Sequence, residues 1–203
     1  MNILCFSDLH LDIAAARRIA ARALVGNFAL FVSAGDLGLD GAHDKEIYEV
    51  LAKPGVPVLA VPGNHDGDDA YERMTELVGW KSIDRVVHRC GEYVLVGYGI
   101  RTNPDDMAQE EARFRDFADS VEDVPAERLV LVSHLPPSGT LAARDRRLID
   151  RGSTALAEWV LRRQPVAVIC GHVHHREPVI ESLGATWVVN AGPFGLPLRL
   201  PRP

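Results

Sequence analysis

The sequence predicts an α/β fold built on two sheets with helices outside them, and three observations carry that expectation. Short runs rich in Val, Ile, Leu and Phe recur along the chain and are nearly continuous in apolar residues, as strands covered on both faces are. Segments of helical periodicity alternate with the early runs, an order that argues for parallel pairing through right-handed crossovers. After about Ile83 the pattern turns to antiparallel pairs joined by short Gly-containing turns, which suits a second sheet better than extension of one open sheet.

In chain order, strands are expected at Asn2 to Ser7, Phe28 to Ser33, Val56 to Val61, Tyr93 to Tyr98, Leu129 to Ser133, Val166 to Cys170 and Thr186 to Asn190. Val86 to His88 would pair with Tyr93 to Tyr98, and Val179 to Leu183 with Thr186 to Asn190. The first helix reads from Ile13, Ala16, Ile19, Ala20, Ala23 and Leu24, with Asp12 as its cap. Further helices are expected at Asp44 to Ala52, which Pro54-Gly55 stops, at Asp69 to Val78 and at Ala108 to Asp119. A further helical pattern, Leu156, Trp159 and Val160, starts after Ser153 as its cap and ends before Pro165, which blocks continuation. The Pro-rich tail from Pro193 to Pro203 reads as extended, and its Leu196, Leu198 and Leu200 suit packing on the domain or on a second subunit.

At 203 residues, with 47% hydrophobic and 25% charged residues, the chain is expected to form a single domain over residues 1–203 rather than a disordered or fibrous chain. Three cysteines without CxxC spacing read as reduced thiols in a cytoplasmic protein. The opening run lacks a basic segment and meets Asp8 and His10 at once, so no secretory leader is expected, and no stretch has the length to span a bilayer. A net charge of -6 gives no general attraction to nucleic acid.

The chemistry sits in five clusters, each directly after an apolar run: Ser7-Asp8-Leu9-His10, Gly35-Asp36, Gly63-Asn64-His65-Asp66, Ser133-His134 and Gly171-His172-Val173-His174. In open α/β sheets ligands bind beyond the carboxyl ends of the strands, so the five converge on one site. Asp8 and His10, like His172 and His174, are two residues apart and share a side of an extended chain. The candidate metal ligands are two carboxylates (Asp8, Asp36), one amide (Asn64) and four imidazoles (His10, His134, His172, His174). Seven donors are too many for one ion that must also bind water. With one carboxylate bridging, they serve two ions, about 4 Å apart in hydrolytic sites of this kind. The mixed nitrogen and oxygen set suits Mn, Fe or Zn better than Ca or Mg.

This ordered set, from Asp8 to His174, resembles that of the calcineurin-like metallophosphoesterases. Ser133-His134-Leu135-Pro136-Pro137 followed by Gly152-Ser153 is similar to the bacterial and archaeal Icc-related predicted phosphoesterases. The resemblance implies a four-layer α/β/β/α sandwich of two mixed sheets. It implies Asp8, His10, Asp36 and His174 on one metal, and Asp36, Asn64, His134 and His172 on the other. It further implies attack by a hydroxide bridging the metals, with Asp36 holding both ions and His65 facing the substrate to stabilise charge or protonate the leaving oxygen. Relatives that continue Gly-Asp as Gly-Asp-x-x-Asp-Arg-Gly place an acid where this chain has Leu39, with Asp40 in the Arg position. The acid that orients His65 is therefore missing from its usual place.

Substrate contacts are expected from Arg101, from Arg144 and Arg151 in the loop Pro137 to Ser153, and from Ser153 at a helix N-terminus suited to phosphate. The segment Ile100 to Asp119 is the one candidate lid. The function expected is hydrolysis of a small phosphodiester or phosphomonoester. A nuclease-type phosphodiesterase and a non-catalytic scaffold for protein partners are the alternatives. A homodimer fits either class.

Overall fold

The computed structural model describes residues 1–77, 79–100 and 107–201, apart from the side chains of 69 and 70. Sheet one runs β11-β1-β2-β3-β4, with β1 Asn2–Phe6, β2 Leu30–Ser33, β3 Val58–Ala60, β4 Trp80–Ser82 and β11 Leu196–Arg199. All its pairs are parallel except that of β11 with β1. Sheet two runs β5-β6-β7-β8-β10-β9, with β5 Val87–Cys90, β6 Tyr93–Tyr98, β7 Leu129–Ser133, β8 Ala167–Cys170, β9 Val179–Leu183 and β10 Thr186–Asn190. Its inner strands are parallel, and the edges β5 and β9 are antiparallel. The helices are α1 Ile13–Val25, α2 Lys45–Ala52, α3 Asp68–Thr75, α4 Met107–Ser120 and α5 Thr154–Arg163.

Strand alternation makes the layers. Ile3 and Cys5 of β1 join Leu30 and Val32 against Val130, Val132, Ile169 and Val189, filling the space between the sheets. Leu4 and Phe6 face the other way, onto Ala16, Ile19, Ile47 and Leu51 of α1 and α2. On the far side Val96, Leu131 and Val168 meet Phe114 and Phe117 of α4 and Leu156 and Trp159 of α5. The order is thus helix, sheet, sheet, helix.

Three expectations change. The tail is not merely extended: Leu196–Arg199 pairs antiparallel with β1, and Leu198 and Leu200 are buried in the core between the sheets. β4 was not foreseen. Its three residues are too few to show a period, and pairing with β3 makes them a strand. The candidate lid is half answered, since 101–106 lie outside the described residues, while α4 buries Phe114, Phe117 and Ala118 and is part of the outer layer. No helix among the described residues is long and apolar enough to cross a membrane. The three cysteines are free thiols.

Candidate metal centre and active site

Three parallel strands of sheet one and two of sheet two end at the same edge, and the loops leaving them carry all five clusters. The backbone there is strained in a consistent way. Asp8 (φ 55°), His10 (φ 43°), Asp36 (φ 55°) and His172 (φ 68°) all take the left-handed conformation. Each such residue costs roughly 1–3 kcal/mol and persists only where its surroundings enforce it. Four candidate ligands sharing that strain mark a site built for geometry rather than for stability.

Close approach sets the glycines. A Cβ on Gly63 would overlap the Asp36 carboxylate and stand 2.6 Å from His134 Cε1, and one on Gly171 would stand 2.7 Å from Ser7 Cβ and 2.8 Å from Asp8 Oδ2. Asp66 fastens the two loops of sheet one. Its buried carboxylate accepts the N–H groups of Asp36 (2.8 Å), Gly63 (2.8 Å) and Gly38 (2.7 Å). Burial and the nearby Asp36 charge push the Asp66 carboxyl up, while those donors pull it down. His43, read from sequence as an ordinary surface or sheet residue, accepts from the Tyr48 hydroxyl at 2.7 Å and donates to the Asp66 carbonyl at 2.5 Å.

Five of the seven expected ligands, Asp8, His10, Asp36, His134 and His174, fall in two close groups of candidate donors, and Asn64 and His172 join them through Asn64 Oδ1. His10 Nε2 lies 3.0 Å from His174 Nε2 and 3.7 Å from Asp36 Oδ2, and His174 Nε2 lies 3.5 Å from Asp8 Oδ1. On the other flank His134 Nε2 is 3.4 Å from Asp36 Oδ2 and 3.1 Å from Asn64 Oδ1, which is also 3.1 Å from His172 Nδ1. Ligand atoms of Asp8, His10 and His174 fall within 4.8 Å of one another, as do those of Asp8, Asp36 and His134. Asp8 is common to both groups, and Asp36 Oδ2 lies between His10 of the first and His134 of the second.

The electrostatics calls for cations. Burial would raise the Asp36 carboxyl, but the charge of His134, a hydrogen bond to that ring and the His65 N–H hold it far below the usual range. Burial alone would lower His134, yet Asp36 and Asp8 raise it to about 9. His172 is pushed down to about 4 by burial and by the charge on His134. A proton on His134 therefore does the work of a cation. Its Nδ1–H donates to the Ala34 carbonyl at 2.7 Å, which fixes the ring with Nε2 toward the carboxylates. Two carboxylates, an amide oxygen and four imidazoles without thiolate fit a pair of divalent transition metals.

His65 is not among the clustered ligands, and its Nδ1–H donates to Asp40 Oδ1 at 2.8 Å. The acid expected at position 39 is thus supplied one residue later. Leu39 and Ala42 exchange backbone hydrogen bonds of 3.0 and 2.9 Å across a turn whose tip is Asp40 (φ 49°) and Gly41 (φ 79°). Two consecutive left-handed residues make a tight turn that an Asp-Gly pair favours, and it carries the tip residue to the histidine. Gly41 N–H also donates to the His65 carbonyl at 2.8 Å. The Asp-Gly pair was the sequence signal; fixed spacing from Asp36 concealed it.

The expected substrate contacts divide. Arg144 and Arg151 lie on depressions that His174 also lines. Ser153 is not a phosphate site: it is buried, and its Oγ accepts Leu156 N–H at 3.0 Å as the α5 cap. The Thr154 and Ala155 N–H groups donate to the Glu111 carboxylate, which fills the place a phosphate would take. Arg101 lies outside the described residues. His175 turns from the site and donates to the Ala142 carbonyl at 3.1 Å.

Comparison with known proteins gives a consistent picture. The family model described as calcineurin-like phosphoesterase matches residues 1–176. Among solved structures, a Thermus thermophilus protein, TT1561, superposes with a TM-score of 0.72 at 20% identity, over 95% of this chain and 90% of that one. The phosphopantetheinyl hydrolase of Mycobacterium tuberculosis gives 0.64 at 18%, over 94% and 88%. A dimetal phosphatase from Danio rerio gives 0.58 at 12%, over 96% and 88%. These likenesses establish the shared fold. No curated protein sequence matches the chain.

Proposed function

The chain belongs to the calcineurin-like phosphoesterase family, and from that premise we propose that it is a dinuclear metal-dependent hydrolase of small phosphate esters, phosphodiesters ahead of phosphomonoesters. The observation that carries this reading is the Asp36 carboxylate, with Oδ2 3.7 Å from His10 Nε2 and 3.4 Å from His134 Nε2 between two groups of donors. Asp8, His10, Asp36 and His174 would hold one ion, and Asp36, Asn64, His134 and His172 the other. Two ions held there would supply an acidified water and would neutralise the phosphoryl oxygens.

The chain's own residues supply position and protons. Asp66 and the strained loop backbones fix the donors before substrate arrives, so little reorganisation accompanies reaction. Asp40 holds His65 through Nδ1, leaving Nε2 to meet the phosphoryl oxygens or to give a proton to the leaving oxygen. The mycobacterial and zebrafish neighbours, named a hydrolase and a phosphatase, are in keeping with this reading. The net charge of -6 favours small substrates over nucleic acid.

Chelator-stripped protein refilled with Mn, Fe, Zn or Mg tests the proposal on bis(p-nitrophenyl) phosphate and p-nitrophenyl phosphate. Two ions per chain and metal-restored turnover are expected, with the diester turned over faster. Two bound ions without turnover of either ester would favour the scaffold reading instead.

A further inference from the structure

Beyond the metal centre, His174 has a second set of neighbours. Its half-exposed side chain faces Asp8 and His10 on one side and on the other lines two adjoining depressions of about 390 and 330 Å³. Arginines dominate both walls: Arg146, Arg147 and Arg151 in the first, Arg144, Arg146 and Arg176 in the second. On a chain of net charge -6 these exposed side chains make a local positive field.

The loop that presents them is held in place. Asp150 accepts from Ser138 Oγ (3.0 Å) and from the N–H groups of Gly139 (2.7 Å) and Gly152 (2.8 Å). Ala142 N–H donates to Glu181 at 2.8 Å. Asp145, the one acid among the described residues that line the depressions, accepts the N–H groups of Arg147 (2.8 Å) and Ile149 (3.0 Å) and pairs with Arg151 at 3.1 Å. Its charge is thereby occupied, and Arg146, Arg147 and Arg176 make no side-chain ion pair among the described residues. A fixed loop removes the cost of ordering its backbone, so on binding a phosphate or carboxylate only the guanidinium side chains have to be ordered.

We propose that the depressions beside His174 form a subsite for a second anionic group, so that the substrate is a phosphodiester whose retained alcohol itself carries a phosphate or carboxylate. The retained side follows from the ring order. The His10 ring neighbours both that of His65, at 5.1 Å, and that of His174, at 4.9 Å, so the row of rings leads from His65 through His10 to the ring that lines the depressions. With the leaving oxygen at His65, the group that stays on phosphorus extends toward the arginines. This inference rests on the hydrolytic reading above for its orientation, and on the arginine walls alone for its anion.

The test compares thymidine 5′-(p-nitrophenyl phosphate) with the same ester bearing a 3′-phosphate, the nucleoside serving as a spacer. With metal-replete protein, kcat/KM is expected at least tenfold higher for the ester bearing the 3′-phosphate, the difference lying in KM. In the Arg146→Ala/Arg147→Ala variant that ratio should fall to about one while turnover of the singly charged ester stays unchanged. Equal kcat/KM in the unaltered protein, or equal losses on both esters in the variant, overturns the proposal. If neither ester is hydrolysed with any metal, the hydrolytic reading fails and binding decides the subsite. By calorimetry on metal-replete His65→Ala protein, thymidine 3′,5′-bisphosphate should bind at least tenfold more tightly than thymidine 5′-phosphate, a margin the two arginine substitutions remove. Equal affinities overturn it.

Discussion

Replacing Asp40 separates its action on His65 from any action on the metals. The pair is 2.8 Å apart, but the side chains are 31% (His65) and 81% (Asp40) exposed. In bulk water two unit charges at that separation attract by about 1.5 kcal/mol, and measured exposed pairs keep roughly 0.2–1 kcal/mol of it. A loss of up to about 1 kcal/mol from the transition state corresponds to at most about fivefold in rate. Asp40→Ala should therefore lower kcat on phenyl phosphate esters by about two- to fivefold, and less on p-nitrophenyl esters, whose leaving group needs no proton. Asp40→Asn, which keeps an acceptor for Nδ1–H but not the charge, should recover only part of the loss. Removing His65 itself should cost about a hundredfold or more, the usual contribution of a positioned acid or base. The decisive measurement is the double-mutant cycle: in a His65→Ala background, Asp40→Ala should change kcat by less than about 1.5-fold. An equal loss in both backgrounds would show that Asp40 acts elsewhere, and a fall in metal stoichiometry would place its action on the ions.

Three other outcomes are expected. Since the raised His134 holds its proton up to about pH 9 in metal-free protein, a cation must displace that proton at neutral pH. Metal affinity should thus rise about tenfold per pH unit from pH 7 toward 9, and calorimetry in buffers of different ionisation heat should show at least one proton released; pH-independent affinity would contradict this. Asp66→Asn turns an amide N–H₂ toward backbone donors and should cost about 2 kcal/mol, a Tm drop of roughly 4–8 °C in a chain this size, together with weaker metal binding. An unchanged melting curve would deny Asp66 its bracing role. Glu111→Ala orphans two N–H groups at the start of α5 and should cost about 1 kcal/mol while leaving KM untouched. A severalfold rise in KM would return that helix end to the substrate site.

What the sequence made legible follows from where the information lies. The inner strands could be read because a strand covered on both faces must be apolar throughout, and Ile3 to Phe6 or Leu129 to Val132 satisfy that without reference to any partner. The seven donors could be read for a similar local reason: each follows its strand directly, so the parallel topology alone brings the strand ends together. β11 could not, because Pro197 and Pro201 break its pattern and its register is set by β1, nearly the whole chain away. Ser153 was legible as a cap but not as an occupied one, since Glu111 reaches it from another helix. Asp40 lies between these cases. Its turn is written locally in Asp40-Gly41, yet its partner His65 is 25 residues on, and only the left-handed pair at the tip converts a one-residue shift into the same contact. A fixed spacing from a ligand is thus a poor guide to an orienting acid carried on a turn. The turn type decides which residue arrives, and a chain that lacks the acid at one position supplies it at the next when a glycine follows.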